Sequence, residues 1–72
     1  MDEIQGFFAN ITTTIAYYAT EGIVIDKVAL PAELLDRAAD EAWPKGVTIV
    51  DSDDDLIRYF SAGVHIGTQR VA

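Results

Sequence analysis

The sequence predicts a small α/β (or α+β) fold, in which helices over residues 2–19, 31–43 and 53–62 cover a three-stranded, mostly parallel sheet. Two observations carry this expectation. From Gly22 onward, apolar β-branched runs, Gly22-Ile23-Val24-Ile25 and Val47-Thr48-Ile49-Val50, alternate with stretches of helical spacing, the pattern of two successive crossover units. Ahead of them Ile4, Phe7, Phe8, Ile11, Ile15 and Tyr18 recur at steps of three and four, a stripe along one side of a helix.

The first helix meets one objection. Ile11-Thr12-Thr13-Thr14-Ile15 is a β-branched run whose side chains lose rotamer freedom in a helix and suit a strand. The alternative is an N-terminal β-hairpin that pairs residues 11–18 with 23–30 through a turn near Thr20-Glu21-Gly22. Residues 23–29 read as a strand, because β-branched side chains dominate and Pro31 cannot continue a ladder. Pro31 opens the second helix: its fixed φ suits a first turn, Glu33 favours the positive end of the dipole, and Leu34, Leu35, Ala38 and Ala42 share an apolar face. Pro44 and Gly46 end it.

Residues 47–50 are a short apolar strand, which Asp51-Ser52 leaves for a third helix. Ser52 is its expected N-cap and Asp55 the partner in a short capping box, with Asp53, Asp54 and Asp55 where the dipole favours negative charge. Leu56, Ile57 and Phe60 would be its buried face, Gly63 its terminator, and residues 64–71 a final strand.

With 72 residues the chain is a single domain, 1–72, near the lower limit of independent folding. It contains no cysteine, so neither disulfides nor a cysteine-ligated metal can support it, which leaves helix-on-sheet packing or a partner subunit. No apolar stretch approaches the roughly 18 residues that span a bilayer, and Met1-Asp2-Glu3 lacks the positive start of a secretory signal. A cytoplasmic location is expected, host cytoplasm or virion if the protein is viral. Twelve acids against five bases give a net charge of -7, which repels phosphate backbones and anionic membranes. Neither nucleic acid nor membrane is an expected partner, whereas a basic protein surface is.

Asp51, Asp53, Asp54 and Asp55 follow the carboxyl end of a strand, where open α/β sheets bind ligands, and such a cluster could hold Mg²⁺. Asp51-Ser52-Asp53 after an apolar strand resembles the aspartate motif of haloacid-dehalogenase-type phosphotransferases, which implies one Asp as nucleophile and the other as general acid. That family also carries a downstream Lys and further acids on a longer sheet. The expected role is a capped helix start with solvated acids, with no metal, no cofactor and no catalytic residue. His65, the single histidine, has no recognisable triad spacing to Ser52 or Ser61. Gly63, Gly67 and Thr68 follow a helix rather than precede one, so they read as a turn and not a phosphate loop.

Two further stretches resemble known families. Tyr59-Phe60-Ser61-Ala62-Gly63-Val64-His65-Ile66-Gly67-Thr68-Gln69 is similar to the N-terminal segment of the archaeal branch of a small-subunit ribosomal protein family related to the laminin-receptor precursor, a likeness of 11 residues that carries no function here. Lys27-Val28-Ala29-Leu30-Pro31-Ala32-Glu33-Leu34-Leu35-Asp36-Arg37-Ala38 resembles the strand-to-helix opening of ribbon-helix-helix repressors, with Leu56-Ile57-Arg58 similar to their second helix. This resemblance implies a paired strand in the major groove, yet Val47-Thr48-Ile49-Val50 interrupts it and Lys27 is the only base on the strand.

Large aromatic rings default to the core, but adjacent aromatics on one helix cannot all face the same side. One residue of Phe7-Phe8 and one of Tyr17-Tyr18 therefore points away from the stripe, and exposed aromatics are typical anchors of protein contacts. The expected function is a non-catalytic protein–protein interaction or structural subunit, homo-oligomeric or part of a larger assembly, such as a viral or phage assembly component or an acidic effector on a basic protein surface. Phe7, Phe8, Tyr17, Tyr18 and Trp43 are its expected partner-binding residues. The alternative is a ribbon-helix-helix-like DNA-binding regulator, and the third reading a metal-dependent enzyme fragment using the cluster from Asp51 to Asp55.

Overall fold

The computed structural model describes residues 3–70, with side chains from residue 6 onward. The expected helix start at Asp2, the side chain of stripe residue Ile4 and the strand end at Val71 lie outside the described residues. Six elements follow in the order α1 (Glu3–Thr20), β1 (Lys27–Leu30), α2 (Ala32–Ala38), β2 (Thr48–Asp51), β3 (Leu56–Ser61) and β4 (Val64–Arg70). The strands form one mixed sheet in the order β2-β1-β3-β4.

The apolar stripe decides the first segment in favour of the helix. Phe8, Ile11 and Ile15 enter the core, and this burial outweighs the weak helix propensity of the threonines. Thr12 and Thr14 donate their hydroxyls to the carbonyls of Phe8 and Asn10 at 3.0 and 2.8 Å, which a helix permits four residues back. At the C-terminus Gly22 takes φ 82°. The Ile23 amide bonds the Tyr18 carbonyl at 2.9 Å and the Gly22 amide that of Ala19 at 3.1 Å, a Schellman closure. Ile23 and Tyr18 both pack on the core beside it. The N-terminal hairpin is therefore not formed, and residues 23–26 are connection rather than strand.

The second helix is shorter than the expected 31–43 and ends at Ala38. Continuation would give the Ala38 carbonyl to the amide of residue 42. Instead that carbonyl accepts the Glu41 amide at 3.1 Å and Trp43 Nε1–H at 2.9 Å. Trp43 meets Phe8 edge-on at 5.7 Å, and this packing turns the chain back toward β2. The crossover β1–α2–β2 is present, with β1 and β2 parallel.

The expected third helix, 53–62, is a tight turn followed by strand β3. Asp51 Oδ1 accepts the Asp53 amide and Asp54 Oδ1 the Leu56 amide, each at 2.9 Å, so these acids close turns instead of capping a helix. Asp53 takes φ 66°, a left-handed conformation that Asp tolerates. Ser52 is not an N-cap; its hydroxyl donates to the Asp54 carbonyl at 3.1 Å. From Leu56 on, burial alternates with the period of a strand. Ala62 and Gly63, at φ 51° and 81°, make a two-residue turn of the kind whose twist matches a hairpin, so Gly63 terminates no helix. The three-stranded, mostly parallel sheet is thus corrected to four strands with only β1 and β2 parallel, β3 running antiparallel to both β1 and β4.

The core lies on one face of the sheet. Val28, Leu30, Ile57 and Tyr59 line that face, and α1 (Phe8, Ile11, Ile15) and α2 (Leu34, Ala38) close over it in one cluster. Strand alternation puts Lys27, Ala29, Arg58 and Phe60 on the opposite face.

Candidate functional site

Among the described residues the sheet ends in two unpaired edge strands, β2 and β4, that differ in construction. On β4 the register shifts at Tyr59/Phe60, leaving Ile66 as a bulge, and the strand carries Gly67 and ends in the cation Arg70. Bulges and basic residues are devices that discourage further pairing. The edge of β2 has no proline, base or bulge within Thr48–Asp51. The Thr48 amide bonds the Asp26 carbonyl and the Ser52 amide that of Leu30, both at 2.9 Å, so residues 48, 50 and 52 turn their backbone groups toward β1. Those of Ile49 and Asp51 point outward. Among the described residues none bonds them.

Beside this edge lies a cleft of about 280 Å³, lined by Leu35, Ala38, Ala39, Trp43 and Ile49. Each wall has a local cause. Leu34 is buried in the core at 1% exposure, so Leu35, about 100° further round the helix, faces the flank half-buried. The hydrogen bond to Ala38 and the contact with Phe8 hold the Trp43 indole in place. Among the described lining residues only Ile49 comes from the sheet, and it sits on the edge strand, so the cleft opens onto that edge.

The surrounding charge is one-sided. Residues 33–55, which contain most of α2, all of β2 and the turn after it, hold eight of the twelve acids and only Arg37 and Lys45 among the five bases, a net -6 of the total -7. Apart from the half-buried Glu41, these acids are exposed.

The residues expected to bind a partner are dispersed. Phe8 is a core residue at 4% exposure, and half-buried Phe7 and Tyr18 pack against the same cluster. Tyr17 points away from the stripe at 60% exposure. Trp43, half-buried, is the one that enters the cleft. The sequence reading placed Leu35 on the apolar face of the helix and Ile49 in a buried strand, so it missed both as cleft walls. The adjacency argument applied to Phe7-Phe8 and Tyr17-Tyr18 applies equally to Leu34-Leu35 and would have flagged Leu35.

The other candidates lie away from this cleft lining. Asp54 pairs with Arg58 at 2.5 Å, and Arg58 Nη1 donates to the Ser52 carbonyl at 3.3 Å. The hydrogen bond that Arg58 Nη2 donates to Asp54 Oδ2, with the one from the Leu56 amide, holds the Asp54 carboxyl below the ordinary carboxylate range. Among the described residues no three His, Asp or Glu side chains converge in a way that could hold a metal ion. His65 Nε2 lies 2.8 Å from Thr68 Oγ1 and 3.1 Å from the Gly67 carbonyl oxygen, and its ring stands 5.4 Å from Phe60, whose other neighbour is Lys27 Nζ at 4.5 Å from the ring centre. Strand β1 is central, with both sides paired, and Leu56-Ile57-Arg58 belongs to β3, so neither the free ribbon nor the second helix implied by the ribbon-helix-helix resemblance is present. Among the described residues no helix is long and apolar enough to cross a membrane. No protein-family model matches the chain, and comparison with curated proteins and with solved structures gives no match.

Proposed function

We propose that this protein is a non-catalytic interaction module that engages a basic protein surface through the α2–β2 side of the fold. One observation carries the reading: an apolar cleft with the indole of Trp43 in its wall opens within a segment of net charge -6. Apolar anchoring supplies affinity, while the surrounding acids select and steer a cationic partner. Trp43 is the single tryptophan, so its emission reports on the cleft directly. The test is a fluorescence titration with short Lys-rich peptides that carry Val or Leu, alongside Lys-rich peptides without them and acidic peptides with them. Saturable, salt-sensitive binding of the first set only is expected, and it should be weakened by Ala39→Arg, which places a cation at the exposed rim of the cleft. A Trp43 signal indifferent to all three sets removes the reading.

A second reading, a homo-oligomeric or particle subunit, is favoured by Tyr17 and Val24, large apolar residues left exposed on either side of the turn after α1. Light scattering over a range of concentrations distinguishes it, since a monomer of 7.9 kDa would end it.

A further inference from the structure

We infer that the partner segment binds as an added strand: an extended, basic peptide pairs with the open edge of β2 and inserts an apolar side chain into the cleft beside Ile49. This rests on the proposed module reading and specifies its binding mode. Three features of the edge converge on it.

The first is the free backbone. Ile49 and Asp51 present outward N–H and C=O groups that no described residue uses, in the spacing of alternate residues along a strand. A polypeptide about 4.8 Å outside β2 would satisfy them. The second is the position of the cleft. Ile49 is paired with Val28, which lines the core, so its side chain lies on the helix-covered face, the face on which Leu35, Ala39 and Trp43 stand. A residue of the incoming strand opposite Ile49 would place its side chain on that same face and therefore in the cleft. Its immediate neighbours would point to the other face or to solvent, which prescribes an alternating peptide with an apolar residue between polar ones.

The third is charge. Asp40 and Glu41 lie in the chain between the cleft residues Ala39 and Trp43, and Asp51, Asp53 and Asp55 stand at the end of the strand, against one base, Lys45, in the approach to it. Lys or Arg flanks complement them, while a second copy presenting the same edge brings another net -6 against it and is opposed. The occupant is accordingly a partner's basic extended segment. The contrast with β4, whose bulge and Arg70 hinder pairing, makes β2 the receptive edge.

The experiment uses the intact chain and an acetylated, amidated peptide alternating Lys and Val. Backbone amide exchange and chemical shifts are followed by NMR together with Trp43 emission. Strand addition predicts that the Ile49 and Asp51 amides become protected on saturation. It also predicts that N-methylating the peptide amides on the ladder side weakens binding about tenfold or more, while methylation on the opposite side does not. Asp51→Pro deletes an outward N–H that no described residue uses, together with the carboxylate that accepts the Asp53 amide, and it should weaken binding more than Asp51→Asn, which removes the charge and keeps the N–H. If that variant fails to fold, the N-methyl series still decides. A response of Trp43 emission with Ile49 and Asp51 exchanging as in the free protein overturns strand addition and leaves the module reading standing. If neither probe responds, both are overturned. Dimerisation through β2 in the absence of peptide, seen as protection of the same amides that rises with protein concentration, also overturns the choice of occupant.

Discussion

The hydroxyl of Tyr59 donates to Oε1 of Gln69 at 2.7 Å, and Gln69 Nε2 donates onward to Thr14 Oγ1 at 3.1 Å. A phenol with no exposed surface on β3 is thereby tied through β4 to α1. A buried Tyr requires such a partner, because an unbonded hydroxyl in the core would cost more than the bond returns. The network thus links three elements, β3, β4 and the helix α1 that packs on the sheet.

Replacing Tyr59 with Phe should cost about 1–2 kcal/mol, since it leaves Gln69 Oε1 without its donor in a partly buried site. Chemical denaturation with unchanged m-value would show it. A variant as stable as the parent would mean that water replaces the phenol.

The same residue gives a pH signature. Burial pushes the Tyr59 hydroxyl up to about 12, against about 10 in an unfolded chain. The folded protein therefore holds this proton longer than the unfolded one. The stabilisation is fully present below about pH 10 and is lost as pH rises toward 12, a change of roughly 2–3 kcal/mol. Comparing the alkaline unfolding of the parent with that of Tyr59→Phe isolates the effect, because the variant should lack this part of the slope.

Gly67 lies opposite Tyr59, and a Cβ there would collide with the Tyr18 hydroxyl oxygen, with the ring carbon bearing it at 3.4 Å. Gly67→Ala should destabilise by about 1–2 kcal/mol. Tyr18→Phe removes the colliding oxygen, so the double variant should recover most of that loss, giving a clear coupling term in a double-mutant cycle.

Asp54 should titrate below the ordinary carboxylate range in an NMR experiment and move back up in Arg58→Gln, because the guanidinium is the largest cause of the depression. What the pair adds to stability is present above the unfolded carboxylate pKa and lost as pH falls through the depressed one. An Asp54 titration unaltered by Arg58→Gln would show that the Leu56 amide and Ser52 set it without the guanidinium.

Tyr17→Asp and Phe8→Asp should separate. The first changes an exposed side chain and should leave circular dichroism and stability close to the parent, abolishing self-association if the assembly reading holds. The second buries a carboxylate in the core beside Trp43 and should unfold the chain, so it cannot test assembly.

The amino-acid order alone leaves α1 open against a hairpin, but it specifies the punctuation at Gly22, the crossover from β1 through α2 to β2, and the concentration of acid around residues 33–55. These depend on apolar spacing within one segment, on glycine and proline, and on composition, all of which are local. Residues 56–61 take their conformation from contacts made across the sheet. Leu56, Ile57 and Phe60 suit a helix, whereas Ile57 and Tyr59 suit a strand, so neither period wins on its own. Pairing decides it: β1 offers an open side, the Ala62-Gly63 turn returns the chain as β4, and Tyr59 finds its hydrogen-bond partner on that strand. The cleft has the same origin, since Leu35 and Trp43 meet Ile49 only when α2 ends at Ala38 and the indole docks on Phe8 from α1. Those contacts join residues far apart in the chain, and their energy exists only once the sheet has formed.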